Sequence, residues 1–531
     1  MDKQALSKVF YDHLTRDIIP FWAGLKDEEY GGFYGLVDFD HRLDKKADKG
    51  CILNSRIMWF FSTCKLLFEE LAHDEENDFV KAGAAEYRKY ADLCGGLAEH
   101  AYKFFYDAFL DKDKGGVFWA VTYDGKPADT LKHTYCHAFA IYALAAYFDA
   151  SGDRAAFDGA NGLADVIESR CTDDVGYLEA FNRDFTPAAN DELSENGVMA
   201  DKTMNTLLHV FEAYTELLRV TKKHFPAIVK PGTDGSSAGD SAEKAEGRKT
   251  PAGGYSKENA AMAERIANRM RFILDVFAEK IYNPKLRRQE VFFDKDYNPI
   301  IDLHSYGHDI ETSWLMDRGL EVLADVDYTN EIEPITLSLA ERIYERAYTQ
   351  HSLLNECEKG VDDKRRIWWV QAETVIGFMH AYQKIQRKKA RVNLTMKASG
   401  ASALDRQQTA VEAEKRSANF FMGMVDVWEF IKDKQIDRHQ VSYEDAYIPA
   451  ALPDTCAPTG IAGTAEAEKG GSSEKNGKTG RAPAEWFSEL TGDFEPITTK
   501  NLVDPWKCPY HNGRMCIEMI RRLKADMNGK D

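Results

Sequence analysis

An all-α chain of about a dozen helices is the fold class this sequence predicts. Three observations predict it. Apolar residues recur at three- and four-residue spacing in 52–71, 135–148, 204–218, 263–281, 310–323 and 374–385. Continuous period-2 runs are scarce, so no large sheet is expected. Roughly 440 residues remain once three polar, low-complexity stretches are set aside, too many for a four-helix bundle.

Taken in order, residues 1–21 are amphipathic and carry Asp2, Asp12 and Asp17, without the apolar centre of a signal peptide. Two later segments look alike. Asp27-Glu28-Glu29-Tyr30-Gly31-Gly32-Phe33-Tyr34 and Asp111-Lys112-Asp113-Lys114-Gly115-Gly116-Val117-Phe118-Trp119 each join acids, a Gly pair and aromatics, and each precedes a helical stretch. This weak internal repeat suggests helical hairpins arrayed around a common axis. Residues 226–257, 388–417 and 453–483 break the pattern. They are poor in groups that can be buried, and are expected to be mobile surface insertions on a single domain spanning 1–531.

The chain has 68 basic and 87 acidic residues among 531, a net charge of −19. That balance argues against nucleic acid and anionic membrane, and leaves a neutral ligand such as a sugar open. Nine scattered cysteines with no CxxC read as reduced thiols, hence a cytoplasmic protein. No run of 18 apolar residues exists, so no membrane span is expected.

The chemistry centres on Ser305-Tyr306-Gly307-His308-Asp309-Ile310-Glu311-Thr312-Ser313-Trp314. On a helix, His308, Glu311 and Thr312 share one face, and an imidazole beside a carboxylate between aromatics suits a sugar site with a general base. Around Arg56, Ile52-Leu53-Asn54-Ser55-Arg56-Ile57 places a guanidinium among apolar residues, either snorkelling or facing a polar cavity. His133 and His137 have i,i+4 metal-ligand spacing but no nearby carboxylate ligand; Tyr135 between them is the better candidate, as a phenol donor. Asn205, His209 and Glu212 form one polar helical stripe, which needs partners if buried. Trp369 and Glu373 repeat the i,i+4 theme. In Trp506-Lys507-Cys508-Pro509-Tyr510-His511-Asn512-Gly513-Arg514, Pro509 and Gly513 are expected to fix a turn carrying His511 ahead of an apolar helix.

Together SYGHDIETSW (305–314), MNTLLHVFEAYTEL (204–217), WWVQAE (368–373) and WKCPYHNGR (506–514) resemble the cellobiose 2-epimerase family, within the N-acylglucosamine 2-epimerase group. Arg56, Trp119, Tyr135, Trp428 and Trp486 join the match. The resemblance implies an (α/α)6 barrel of six inner and six outer helices with the site at one mouth. It implies catalytic histidines at His308 and His511, with His209 assisting. It also implies substrate-side positions at Arg56, Tyr135, Asn205, Glu311, Trp369, Glu373 and Trp506. Leu207, His137 and Ala484 depart from the family pattern, where His, Gln and Gly are usual.

The expected reaction inverts C2 of the reducing-end glucose of a β-1,4-linked disaccharide, cellobiose or lactose, through ring opening and a cis-enediolate. One imidazole on each face of C2 exchanges the proton. Arg56 would hold the O1/O2 charge, Glu311 would hold or polarise His308, and neither metal nor other cofactor is called for. The partner is the small sugar alone, bound by a monomer or at most a weak homodimer. The alternatives are an N-acylglucosamine epimerase or mannose-type isomerase on a monosaccharide, a glycoside hydrolase using Asp309 and Glu373, and a binding protein without turnover.

Overall fold

Thirteen α-helices are found among the residues described in the computed structural model, which are 2–74, 81–188, 197–226, 257–438 and 484–527. In chain order they are α1 (Lys3–His13), α2 (Ile19–Gly24), α3 (Cys51–His73), α4 (Ala84–Phe104), α5 (Thr134–Ser151), α6 (Arg154–Arg170) and α7 (Met204–His224). There follow α8 (Lys257–Val276), α9 (Tyr306–Leu323), α10 (Val326–Arg346), α11 (Trp368–Ala398), α12 (Ala403–Phe430) and α13 (Tyr510–Met527). A π-helical turn, Leu14–Ile18, fuses α1 to α2. Helices α3, α5, α7, α9, α11 and α13 pack each against the next, and α13 returns to α3, closing a ring. The remaining helices lie outside it, the fused α1–α2 against α13 and the others each against an inner helix. This is the expected (α/α)6 barrel.

Residue type sorts the two layers. Helix α5, TYCHAFAIYALAAYFDAS, is apolar all round and buried on every side, as an inner helix must be. Helix α4 buries the stripe Tyr87, Tyr90, Ala91, Cys94, Leu97, Ala98 and Ala101, the i, i+3, i+4 pattern of an outer helix, with Tyr102 and Phe104 buried at its end. Between α5 and α6 the chain turns tightly. Gly152 takes the left-handed conformation, φ 75°, and Asp153 caps α6 by accepting from the Ala155 N–H.

Among the described residues strands are two or three residues long and form two- and three-stranded sheets, among them the strands that lead into inner helices at Lys49–Gly50, Lys132–His133, Lys202–Thr203, Leu303–Ser305 and Arg366–Ile367. The sequence repeat acquires a meaning there. Asp27 Oδ1 accepts from the Glu29 and Tyr30 N–H groups, and its Oδ2 accepts from Lys49 Nζ at 2.7 Å. Asp111 does the same with Asp113, Lys114 and Lys132 Nζ at 3.0 Å. A third copy, with one glycine in place of two, joins Asp173 to Val175, Gly176 and Lys202 Nζ at 2.5 Å. Each aspartate closes the turn after an outer helix and clamps a wholly buried lysine two residues before the next inner helix. The inner helix is thereby fixed at its first residue.

The segment 388–417 differs from expectation. All of it but a four-residue connection lies in α11 and α12. Its Ala, Lys, Glu, Gln and Arg bury little, yet they are strong helix formers, so polarity here selects an exposed helical hairpin and not an irregular insertion. Gln386 Nε2 donates to Ser417 Oγ at 2.8 Å at its foot. Most of 226–257 and all of 453–483 lie outside the described residues. The eight described cysteines are free and buried. Among the described residues no helix is long and apolar enough to cross a membrane.

Candidate active site

The residues singled out on the inner helices fall in the first two turns, Glu212 one turn deeper, so the ring delivers them to one end. Arg56 comes from α3, Tyr135 from α5, Asn205 and His209 from α7, His308 and Glu311 from α9, Trp369 and Glu373 from α11, and His511 from α13. Trp506 lies on the connection into α13. Asn205, His308, Trp369, Trp506 and Trp119 are partly exposed, while His209, Glu311, Glu373 and His511 are buried beneath them. The site therefore has an open rim of rings and amides above a charged floor.

His308 and His511 meet at Trp369. The indole centroid is 4.8 Å from the His308 ring and 5.5 Å from the His511 ring. Trp368 packs edge-on to His511 from the other side, at 5.3 Å. Two glycines make this approach possible. A Cβ on Gly307 would come within 2.5 Å of the Trp369 ring, and one on Gly513 within 2.4 Å of Phe60. Gly513 is thus a packing position inside α13 and not the turn residue its sequence context suggests; His511 is the second residue of that helix.

The floor is one ion cluster around Arg514. Its Nη1 donates to Glu212 Oε1 at 2.7 Å, and its Nη2 donates to Glu311 Oε1 at 2.6 Å and Glu373 Oε1 at 2.7 Å. Tyr510 donates to Glu212 at 2.6 Å. Three carboxylates face one guanidinium in a buried place, so the charges do not balance. Burial first, and then the neighbouring Glu373, pushes Glu311 above the usual carboxylate range, and burial also raises Glu373. For Glu212 burial is outweighed by Arg514, His209 and Tyr510, which hold it down at about 2. Crowding of buried like charges thus favours the protonated form of Glu311 and Glu373 over that of an ordinary carboxyl.

Each of three imidazoles is gripped through Nδ1. His511 Nδ1 is 2.7 Å from Glu373 Oε1, His209 Nδ1 is 2.8 Å from Glu212 Oε2, and His308 Nδ1 is 2.7 Å from Ser305 Oγ. Against a carboxylate, Nδ1 carries the hydrogen and donates it, which leaves the Nε2 lone pair basic. Burial, followed by the cations Arg514 and Arg56, drives His511 well below the ordinary histidine value. Burial lowers His209 too, and brings His308 to about 3. Burial thus favours the neutral form of all three. Glu311 does not hold His308 as expected; it joins Arg514, 4.0 Å from His511 Nδ1.

Arg56 lies among rings, its guanidinium carbon 4.1 Å from the Phe139 centroid and 4.6 Å from that of Tyr510. It donates from Nη2 to Tyr135 Oη at 2.9 Å and from Nη1 to the Trp506 carbonyl at 3.4 Å, while its buried Nε has no partner among the described residues. It is a fixed cation facing a polar site, not a snorkelling one. Asn205 Oδ1 is likewise buried without a partner among the described residues. Trp119 reaches Trp506 at 5.8 Å, and Trp506 reaches Tyr135 at 5.9 Å, a continuous aromatic wall.

The competing constellations dissolve. His137 Nδ1 donates to the His133 carbonyl and its Nε2 accepts from the Val117 N–H, so its ring is spent on the backbone. Asp309 accepts from Gln289 and pairs with His304 at 2.7 Å, away from Glu373, so the two are not a hydrolase pair. Glu311, Glu373 and His511 present atoms within 4.8 Å of one another, a spacing a cation could use. The guanidinium of Arg514 already occupies that role between the two carboxylates. Sequence reasoning passed over Arg514, Tyr510 and Ser305. An arginine three residues after His511, entering the run Met515-Cys516-Ile517, is the same signal that singled out Arg56.

The N-acylglucosamine 2-epimerase (GlcNAc 2-epimerase) family matches over residues 79–213. Cellobiose 2-epimerase of Eubacterium cellulosolvens is 37% identical over 515 residues, covering 97% of this chain and 98% of that one. Cellobiose 2-epimerase of Ruminococcus albus is 37% identical over 509 residues, 96% of this chain and 97% of its own. Among solved structures, a sugar epimerase from a ruminal bacterium superposes with TM-score 0.70 at 35% identity, covering 97% and 99% of the two chains. Cellobiose 2-epimerase from Bacillus thermoamylovorans does so with TM-score 0.68 at 30% identity over 98% and 99%. With a barrel of the same architecture and likeness running nearly end to end, the chain belongs to the cellobiose 2-epimerase family.

Proposed function

We propose that this chain inverts C2 of the reducing-end glucose of cellobiose and related β-1,4-linked disaccharides, with His308 and His511 as the acid–base pair. The observation that carries the reading is that two neutral imidazoles, from different helices, flank one indole with their Nε2 atoms unpartnered among the described residues. The sugar opens to its aldehyde, which makes the C2 hydrogen acidic. One Nε2 removes it as a proton, and the C–H electron pair passes into the enediolate. The other imidazole, which takes up a proton on Nε2 before this step, delivers it to the opposite face of C2. Arg56 and Tyr135 balance the O1/O2 charge, a contribution of about 3 kcal/mol for a well-placed donor. Trp369, Trp506 and Asn205 hold the sugar, and His209 assists from the Glu212 side. Glu311 and Glu373 supply the proton reserve beneath His511.

All the groups the reaction uses come from one chain, which supports action as a monomer. Free buried thiols support a reducing, cytoplasmic setting. The test is incubation with cellobiose in D2O. The product expected is glucosyl-mannose with deuterium at C2, and His308→Asn and His511→Asn each abolish its formation while the variants fold. An Asn variant with parental turnover overturns the assignment; release of free glucose would point to hydrolysis instead.

A further inference from the structure

Ser305 stands at the N-cap of α9, where a serine ordinarily accepts a hydrogen bond from the backbone two or three residues on. It makes no such bond. Thr203, at the same position of α7, does, accepting from the Thr206 N–H. The Ser305 hydroxyl is committed instead to His308 Nδ1, 2.7 Å away. Helix α9 forgoes its cap, and the imidazole gains a partner.

The choice of partner distinguishes the two acid–base histidines. Glu373 backs His511 with a carboxylate, whose negative charge favours imidazolium. Nδ1 of His308 meets only a neutral hydroxyl, and no carboxylate lies on that nitrogen among the described residues. The groups packed around His308 are Trp369 from α11, the Gln289 amide, which donates to the His308 carbonyl, and His209, whose charge would oppose a second one.

We infer that Ser305 is a positioning residue for the epimerisation: it accepts from His308 Nδ1–H and keeps Nε2 basic and aimed at C2. The inference rests on the two-histidine reading above. When His511 takes the C2 proton, His308 must deliver one to the other face. When His308 takes it, His511 delivers. Without the hydroxyl, His308 samples the tautomer with hydrogen on Nε2, which can neither accept the proton nor become a correctly aimed imidazolium.

The experiment uses the full chain, Ser305→Ala and Ser305→Thr, each given cellobiose and, separately, glucosyl-mannose in D2O. Early in the reaction, NMR reads the deuterium at C2 of recovered sugar against the epimer formed. Ser305→Ala is expected to epimerise about 10- to 100-fold more slowly, the usual effect of losing such an outer partner. Its exchange-to-inversion ratio rises from one epimer only, the one whose proton His511 removes. A general loosening or partial unfolding scales exchange and inversion together and leaves that ratio unmoved. Ser305→Thr, which keeps the hydroxyl, retains the parental ratio. An alanine variant with the parental ratio from both epimers, or a threonine variant with the alanine ratio, overturns the role of Ser305. Absence of C2 exchange in the parent itself overturns the two-histidine reading, and is distinguishable because no variant is involved.

Discussion

Replacing Glu373 by Gln tests the charged floor at its most connected point. Oε1 of Glu373 accepts from His511 Nδ1 and from Arg514 Nη2, both at 2.7 Å, and Oε2 accepts from Trp314 Nε1 at 3.0 Å. All three partners donate. An amide has one oxygen and one NH2 group, so whichever way it turns, a donor faces a donor. The bond to His511 is charge-assisted once that ring is protonated, and such bonds contribute about 1.5–3 kcal/mol. At roughly 1.4 kcal/mol per tenfold, kcat/KM for cellobiose should fall by about 10- to 150-fold. Glu212 and Glu311 still face Arg514, so the variant should fold and give the parental circular dichroism spectrum. The pH profile gives the sign. His511 is already below the ordinary histidine value, which puts its limb on the acid side of 6.5, and losing the carboxylate moves that limb to still lower pH. Initial rates between pH 4 and 8 measure both effects. A Gln variant with kcat/KM within about threefold of the parent and an unmoved acid limb would refute the dependence of His511 on Glu373.

Four further outcomes are expected. Burial lowers His137 to about 4, so it is neutral in the fold, whereas the unfolded chain binds a proton near 6.5. Its contribution is lost as pH falls below 6.5, by about 2 kcal/mol at pH 5, and urea unfolding of His137→Gln should show a correspondingly flatter decline between pH 7 and 5. Burial raises Glu179 to about 7, a carboxyl whose stabilisation is complete below about 4.5 and lost as pH rises through 7. Since Glu179 accepts from the Thr203 N–H at 2.7 Å and from Thr206 Oγ1 at 2.6 Å, and an amide fits both, Glu179→Gln should melt higher than the parent at pH 8 and no higher at pH 4. Gly307→Ala drives a methyl into the Trp369 ring; displacing that indole by about 1 Å should cost on the order of 100-fold in turnover, measured with cellobiose, against about 1–3 kcal/mol in stability. Asp27→Ala strands the buried ammonium of Lys49 and should cost about 3–5 kcal/mol by denaturant titration, with much of it recovered in Asp27→Leu/Lys49→Met.

What the sequence makes legible follows from what is local. The inner helices α3, α5, α7 and α9 are readable because burial on nearly every side leaves long apolar runs at helical spacing. The start of α13 is not, because Pro509 and Gly513 imitate a turn. Gly513 is required by the side chain of Phe60, which is more than 450 residues earlier in the chain. His308, His511 and His209 are found through their motifs, but their Nδ1 partners are not alike in visibility. Glu212 shares a helical face with His209 and is in plain view. Glu373 lies 138 residues before His511, and only the ring closure joins them. Ser305 reads as a helix cap, which is its place but not its bond. The third copy of the aspartate–lysine clamp escapes notice because Asp173-Asp174-Val175-Gly176-Tyr177 has one glycine where the other copies have two.

The far halves of the inner helices carry their own ionic joints. Asp317 on α9 accepts from His380 Nε2 at 2.7 Å and Lys384 Nζ at 2.6 Å on α11, and Glu518 on α13 accepts from Arg318 of α9 at 2.8 Å. These joints share no residue with the turns that form the candidate site. Along α9, α11 and α13, then, part of the adhesion between neighbours lies outside the stretch that would meet ligand. Libraries restricted to the opening turns can explore other hexoses while the lower storey keeps the cylinder shut, and substitutions in that storey can tune heat resistance without re-selecting for turnover.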